Sequence, residues 1–258
     1  QPLEEVSAQG SSSLTLMFYA MFIAKDFGLR GSDSAWKNTV SKDSAPTFIC
    51  PVPGYDRHFT ICEQLGINML TVPMTSTGPD MNAVEALIKK DNSIVGMWCV
   101  PKYSNPTGVI YSDETVKRIA KLGQIANKSF CVFWDNAYAV HDMDGYKPLA
   151  NIANYSREYD TTDNVIQFSS TSKITHAGSG VAFIAASVDN LNGIRKVLSS
   201  FSIGPDKVNQ LRHHRLLPNF DSLIEHMSRH AKLLKPRFNC VLKHLQESFS
   251  DNDLGDWE

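Results

Sequence analysis

Short apolar runs alternate with amphipathic stretches along most of this 258-residue chain, and that alternation restricts the fold more than any other feature. "PTFICPVPGY" reads as a strand entering a turn and "DRHFTICEQLG" as the helix after it. "INMLTVPM" is a strand, and "DMNAVEALIKKD" a helix opened by an Asp cap. "SIVGMWCV" has the character of a buried strand ending at Pro101, and "SDETVKRIAKLGQIANK" carries a capping signal at Ser112. "SFCVFWD", "NVIQFSS" and "GVAFIAAS" complete the strands. "SLTLMFYAMFIAKDFGL" (13–29) is helical and ends near Gly28. The stretch "DSLIEHMSRHAKLLKPRFNCVLKHLQESF" is one long helix with a kink expected at Pro236. Strands separated by helices predict an α/β fold, a mostly parallel sheet sandwiched by helices. Residues 1–215 form the expected large domain, and 216–258 a long helix leading into a small domain that is mostly absent.

The composition narrows the function classes. A net charge of −2 offers no electrostatic case for nucleic acid or an anionic membrane, and no apolar run reaches the roughly 18 residues of a membrane span. Five widely spaced cysteines without a C-x-x-C pair read as reduced thiols of an intracellular, cytoplasmic protein, not as disulfides or a zinc site. His226 and His230 stand four apart on a helix but lack the glutamate of a zinc protease, so no metal is expected. The chain begins at Gln1 without an initiator Met and stops just after a helical pattern, which suggests a fragment or a mature form.

In a parallel sheet the chemistry collects at the carboxyl ends of the strands, so the residues after each strand matter most. "SAQGSSSLTL" places Gly10, Ser11 and Ser12 at a helix N-terminus, where free N–H groups, hydroxyls and the helix dipole suit a phosphate; a plain serine cap is the alternative. "PKYSNPTG" follows the next strand and holds Asn105 before Pro106 in an extended conformation. Asp135 ends a very apolar strand, where a carboxylate requires either a buried cationic partner or a turn to cap. Tyr138 follows three residues later and points the same way if a helical turn intervenes. Lys173, in "SSTSKITHAGSGVAF", stands three residues after Ser170; partly removed from water, its amine becomes a nucleophile toward carbonyls, while a solvated loop lysine is the alternative. A phosphate cradle, a carboxylate, an amide, a phenol and a lysine on one rim are the set that pyridoxal 5′-phosphate requires.

"YSNPTG", "DNAY" and "STSKITHAGSGVAF", in that order, resemble the fold-type I pyridoxal-phosphate enzymes of the aspartate aminotransferase superfamily. The longer runs "CPVPGYDRHF", "VPKYSNPTGV", "FWDNAYAVH" and "IGPDKVNQLRH" are similar to a divergent bacterial-type aspartate aminotransferase subgroup. The resemblance implies that Lys173 bonds the cofactor aldehyde and moves the substrate α-proton, and that Asp135 holds the pyridinium proton. It implies that Asn105 and Tyr138 serve the 3′-oxygen, Tyr55 stacks on the ring, and Gly10, Ser11, Ser12 and Ser170 bind the phosphate. It further implies a homodimer that moves the amino group of an acidic amino acid, aspartate, to 2-oxoglutarate. The sequence departs from the superfamily at "GSGVA", where Gly180 stands near the place of a phosphate-binding arginine. The arginine for the substrate carboxylate and the N-terminal arm are also expected to lie outside this chain. A lyase or decarboxylase on the same cofactor, and a non-catalytic domain sensing pyridoxal phosphate or an amino acid, remain the rival readings.

Overall fold

The strands that the sequence marks as apolar runs assemble into one eight-stranded sheet in the computed structural model, which describes residues 2–41 and 44–249. The strands are β1 (Val6–Ala8), β2 (Thr47–Val52), β3 (Asn68–Thr75), β4 (Gly78–Pro79), β5 (Ile94–Cys99), β6 (Cys131–Asp135), β7 (Val165–Ser170) and β8 (Ala182–Ala185). Their order is β1-β8-β7-β6-β5-β2-β3-β4. The run β3-β2-β5-β6-β7 is parallel, while β8, β1 and β4 pair antiparallel at the two margins. The fold is therefore the mostly parallel α/β sheet expected from the alternation. Chain order reverses between β2 and β5: β2 leads outward to β3, whereas β5 leads the other way to β6. A crevice at the carboxyl ends beside such a reversal is where ligands bind in open sheets.

Nine helices connect and cover the strands among the described residues: α1 (Ser13–Asp26), α2 (Trp36–Thr39), α3 (Asp56–Gln64), α4 (Met81–Lys90), α5 (Asp113–Lys121), α6 (Ile152–Glu158), α7 (Val188–Leu198), α8 (Lys207–Leu216) and α9 (Phe220–Ser248). Their starts follow the capping chemistry. Ser12, Asp80 and Ser112 each accept a backbone N–H of the first turn of α1, α4 and α5. The α5 helix stops at Lys121 and tightens into a 3-10 turn through Gln124, earlier than the amphipathic pattern suggests. Alternate strand residues divide the interior into two layers. Phe48, Trp98, Phe133 and Phe168 share one face with α1 and Trp36, while Ile49, Met97, Val132 and Trp134 face α4 and α5. Each fully buried apolar side chain of this kind contributes roughly 1.5–3 kcal/mol. Gly96 serves that packing: a Cβ there would lie 2.1 Å from the Phe48 ring.

Two units emerge from the contacts: Gln1–Tyr138 with Leu149–Leu211, and Ala139–Pro148 with Arg212–Glu258. The boundary differs from the sequence reading of 1–215 and 216–258, because the 139–148 segment groups with α9. In the smaller unit α9 runs through Pro236 and buries only Met227 and Ala231 among its described residues.

Cys50, Cys62, Cys99 and Cys131 are free and buried, and Cys240 is free and exposed. Burial pushes the Cys99 thiol far up and that of Cys131 up to about 12, so neither supplies thiolate near neutrality. A thiol-reactive disulfide reagent is expected to titrate one fast thiol in the native chain and five after unfolding. Several fast equivalents in the native chain would contradict this packing.

Candidate functional site

Four strand ends and the start of α1 converge on one open cavity of about 310 Å³, within the size range of small-molecule sites. Ser11, Ser12, Tyr55, Asp135, Ser170 and Lys173 all line it. These six of the nine sequence-derived candidates are thus brought together. Gly10, Asn105 and Tyr138 are not among the lining residues. Gly10 is bound into the sheet margin, its carbonyl accepting from the Ala182 N–H at 2.6 Å. Asn105 is half-buried in the turn after β5, where the Gly108 N–H donates to the Ser104 carbonyl at 2.6 Å. Tyr138 reaches the site through the lysine: Lys173 Nζ donates to its hydroxyl at 2.8 Å and lies 4.1 Å from its ring centroid.

Lys173 differs from expectation in one respect. On the 3-10 turn Thr171–Lys173 that follows β7, it is exposed and not withdrawn from water. The phenol of Tyr138 fixes the amine instead. That turn is pinned on its other side, where Thr171 Oγ1 accepts the Val181 N–H at 2.8 Å.

Asp135 finds the buried partner that its position demands. His58 Nε2 stands 3.1 Å from Asp135 Oδ2, with both residues buried. A carboxylate offers only acceptors, so this contact places a proton on Nε2. The imidazole lies on Trp98, ring centroids 4.1 Å apart and planes within 8°, and the Tyr55 ring meets it edge-on at 5.1 Å. His58 escaped the sequence reading because it looks like one polar residue of an amphipathic helix. The signal was its spacing: His58 shares the buried stripe of α3 with Ile61 and Cys62, at i+3 and i+4. Asp135 Oδ1, by contrast, is buried with no hydrogen-bond partner among the described residues. An orphaned carboxylate oxygen at a cavity wall calls for a donor from a ligand.

The other end of the cavity is rich in donors. Ser12 caps α1 through its Oγ, which accepts the Thr15 N–H at 3.2 Å. The first-turn N–H groups of such a helix have no partner within it and face the site with the positive end of the dipole. A larger hollow of about 410 Å³ lies within the smaller unit, against α9. Its Lys235 is already bonded to Asp144, and no unpaired buried side-chain atom lines it among the described residues. The cavity at the strand ends is the candidate site.

Comparison with known proteins points to one family. The sequence profile of the family described as aspartate amino-transferase matches residues 1–258. An aspartate aminotransferase of Corynebacterium glutamicum is 40% identical over 257 residues, which are 99% of this chain and 58% of that protein. The crystal structure of an aspartate transaminase from the same organism superposes with a TM-score of 0.90 at 40% identity, covering 96% of this chain and 57% of that one. A Thermus thermophilus α-aminoadipate aminotransferase, solved with N-(5′-phosphopyridoxyl)-L-leucine, shares the fold with a TM-score of 0.70 at 23% identity over 88% of this chain and 52% of its own. The chain thus spans a little under three fifths of the length of its Corynebacterium glutamicum relative. With a profile match from end to end and 40% identity to such a relative, the chain belongs to the aspartate aminotransferase family.

Proposed function

We propose that this chain is the cofactor-binding part of a pyridoxal 5′-phosphate-dependent aminotransferase that moves the amino group of aspartate to 2-oxoglutarate. The observation that carries the reading is the unpaired Asp135 Oδ1 in a wall of the cavity that Lys173 also lines. When bound, pyridoxal 5′-phosphate supplies an aldehyde that takes up the amino group and a protonated ring that accepts the electron pair released at the α-carbon. Asp135 Oδ1 would accept the ring N–H, with His58 holding the carboxylate by donating to Oδ2. Lys173 would be the residue that bonds the aldehyde and carries the α-proton, with Tyr138 holding its amine. Tyr55 offers a ring face, and Asn105 and Tyr138 serve the 3′-oxygen. Gly10, Ser11, Ser12 and Ser170 receive the phosphate at the α1 N-terminus. We assign the cofactor to residues 1–215, with 216–258 leading into a small domain, and the working form to a cytoplasmic homodimer.

An absorption spectrum with added pyridoxal 5′-phosphate tests the reading. A visible band is expected on mixing, and added aspartate should replace it with a near-ultraviolet band as the cofactor takes up the amino group. Subsequent 2-oxoglutarate should restore it. Release of ammonia or alanine from aspartate, with no need for a keto acid, would mean a lyase or decarboxylase instead. A stable visible band indifferent to amino acids would leave only a sensing role.

A further inference from the structure

The imidazole that holds Asp135 is itself held, by a residue outside the lining of the cavity. Trp98 stands in β5 with only 2% of its surface exposed. Phe48 of β2 and Phe133 of β6 pack against its ring, at centroid distances of 5.4 and 5.1 Å. These phenylalanines belong to the two strands that flank β5, so the indole is clamped from both sides on one sheet face. Helix α3 then meets it at two points one turn apart. His58 lies flat on the ring, centroids 4.1 Å apart and planes within 8°, and Cys62 Sγ accepts the Trp98 Nε1–H at 3.3 Å.

The two contacts act differently. An indole N–H can only donate, and left buried without an acceptor it would be costly, so Cys62 fixes how the indole is turned. The stack fixes the histidine. The last torsion of a histidine side chain is broad, so the ring needs an outside constraint to keep one orientation. Rotation about the His58 Cβ–Cγ bond would break the parallel stack on Trp98 and also carry Nε2 away from Asp135 Oδ2, now 3.1 Å distant. Tyr55 meets the imidazole edge-on at 5.1 Å and offers no parallel face.

Resting on the pyridoxal-phosphate reading, we propose that Trp98 is a positioning residue for the reaction. Anchored by Cys62, it sets the plane of His58, and through His58 it keeps Asp135 Oδ2 engaged and Oδ1 available at the cavity wall. Trp98 thus governs the interaction of Asp135 with the cofactor ring nitrogen and no other part of cofactor binding.

Equilibrium binding of pyridoxal 5′-phosphate and of its carbocyclic analogue, in which C–H replaces the ring nitrogen, separates this role from a general loosening of the core. Trp98→Leu in the full chain should weaken pyridoxal 5′-phosphate about 3- to 10-fold and leave the analogue unchanged, while Trp98→Phe, which keeps a flat ring, should retain most of the affinity. Added to His58→Ala, Trp98→Leu should cause no further selective loss. Equal losses for the two compounds, or a selective loss that persists without His58, overturns the positioning role. Proton spectra of the cofactor-free chain give a second readout. The His58 Nε2–H is expected as a far-downfield resonance, identified by its loss in His58→Ala, that survives in Trp98→Phe and disappears in Trp98→Leu; its persistence in Trp98→Leu overturns the inference. Should Trp98→Leu not fold, Cys62→Ala decides. The same proton should exchange with water about 3- to 10-fold faster, with Cys62→Ser restoring the slower rate, and unchanged exchange in Cys62→Ala overturns the inference. A wild-type chain that binds neither compound overturns the cofactor reading and this inference together, whereas binding with no selective loss in Trp98→Leu removes this inference alone.

Discussion

Lys173→Ala should abolish the visible band formed with pyridoxal 5′-phosphate and lower transamination in the working enzyme by at least about 10⁴-fold. Among the described residues lining the cavity no other carries an amine to take over the two roles proposed for Lys173, bonding the aldehyde and moving the α-proton. Two functions reside in one atom, which is why the loss exceeds that of any single hydrogen bond. Borohydride reduction followed by peptide mapping locates the site directly. The label is expected on the peptide carrying Lys173, and a label on another lysine, such as the buried Lys102, would refute the assignment. Tyr138→Phe is the informative companion, since it retains the ring beside Nζ and removes only the oxygen 2.8 Å away. Its expected loss is the 10-fold or so of one hydrogen bond to a charged group, with the visible band retained.

The parts of the site legible in the sequence are those that sit at strand ends. Asp135 could be read because it ends a strongly apolar strand, where a charge needs a reason, and Lys173 because it stands just past the end of β7. The parallel sheet was legible because β2, β5 and β6 are buried along nearly their whole length and read as continuous apolar runs. Elements of two to four residues were not. Neither β1 nor β4 carries a detectable period, and their existence depends on the antiparallel neighbours β8 and β3. The exposure of Lys173 was also hidden, because it sits on a three-residue 3-10 turn that no sequence period announces.

His58 shows a further limit of reading by residue type. A histidine on an amphipathic helix is unremarkable until the partner across the chain is known, and that partner lies 77 positions away. The pairing also changes what Asp135 can do. Without His58 the carboxylate would face the low-polarity interior with both oxygens unpaired, at a cost of about 1–3 kcal/mol for each unsatisfied group. With it, Oδ2 is satisfied and Oδ1 remains for a ligand.

That division of labour predicts the outcome of Asp135→Asn. The amide matches the carboxylate in shape, so the fold and the cavity are expected to persist. Its single oxygen is claimed by the His58 Nε2–H, which leaves the NH₂ where Oδ1 stood. A donor then meets the cofactor ring nitrogen, and the ring can no longer keep its proton. Breaking one side of a buried charged pair costs about 3–5 kcal/mol, which corresponds to a loss of about 10²- to 10⁴-fold in rate. The loss should fall on kcat more than on KM, because the ring charge matters most as electrons leave the α-carbon. The visible band on adding pyridoxal 5′-phosphate should survive, since Lys173 is untouched, and this separates the variant from Lys173→Ala. Adding His58→Ala to Asp135→Asn should cost much less than it does in the wild type, because the histidine acts through the carboxylate it holds. Turnover by Asp135→Asn within a few-fold of wild type would show that the orphaned oxygen has no part in the chemistry.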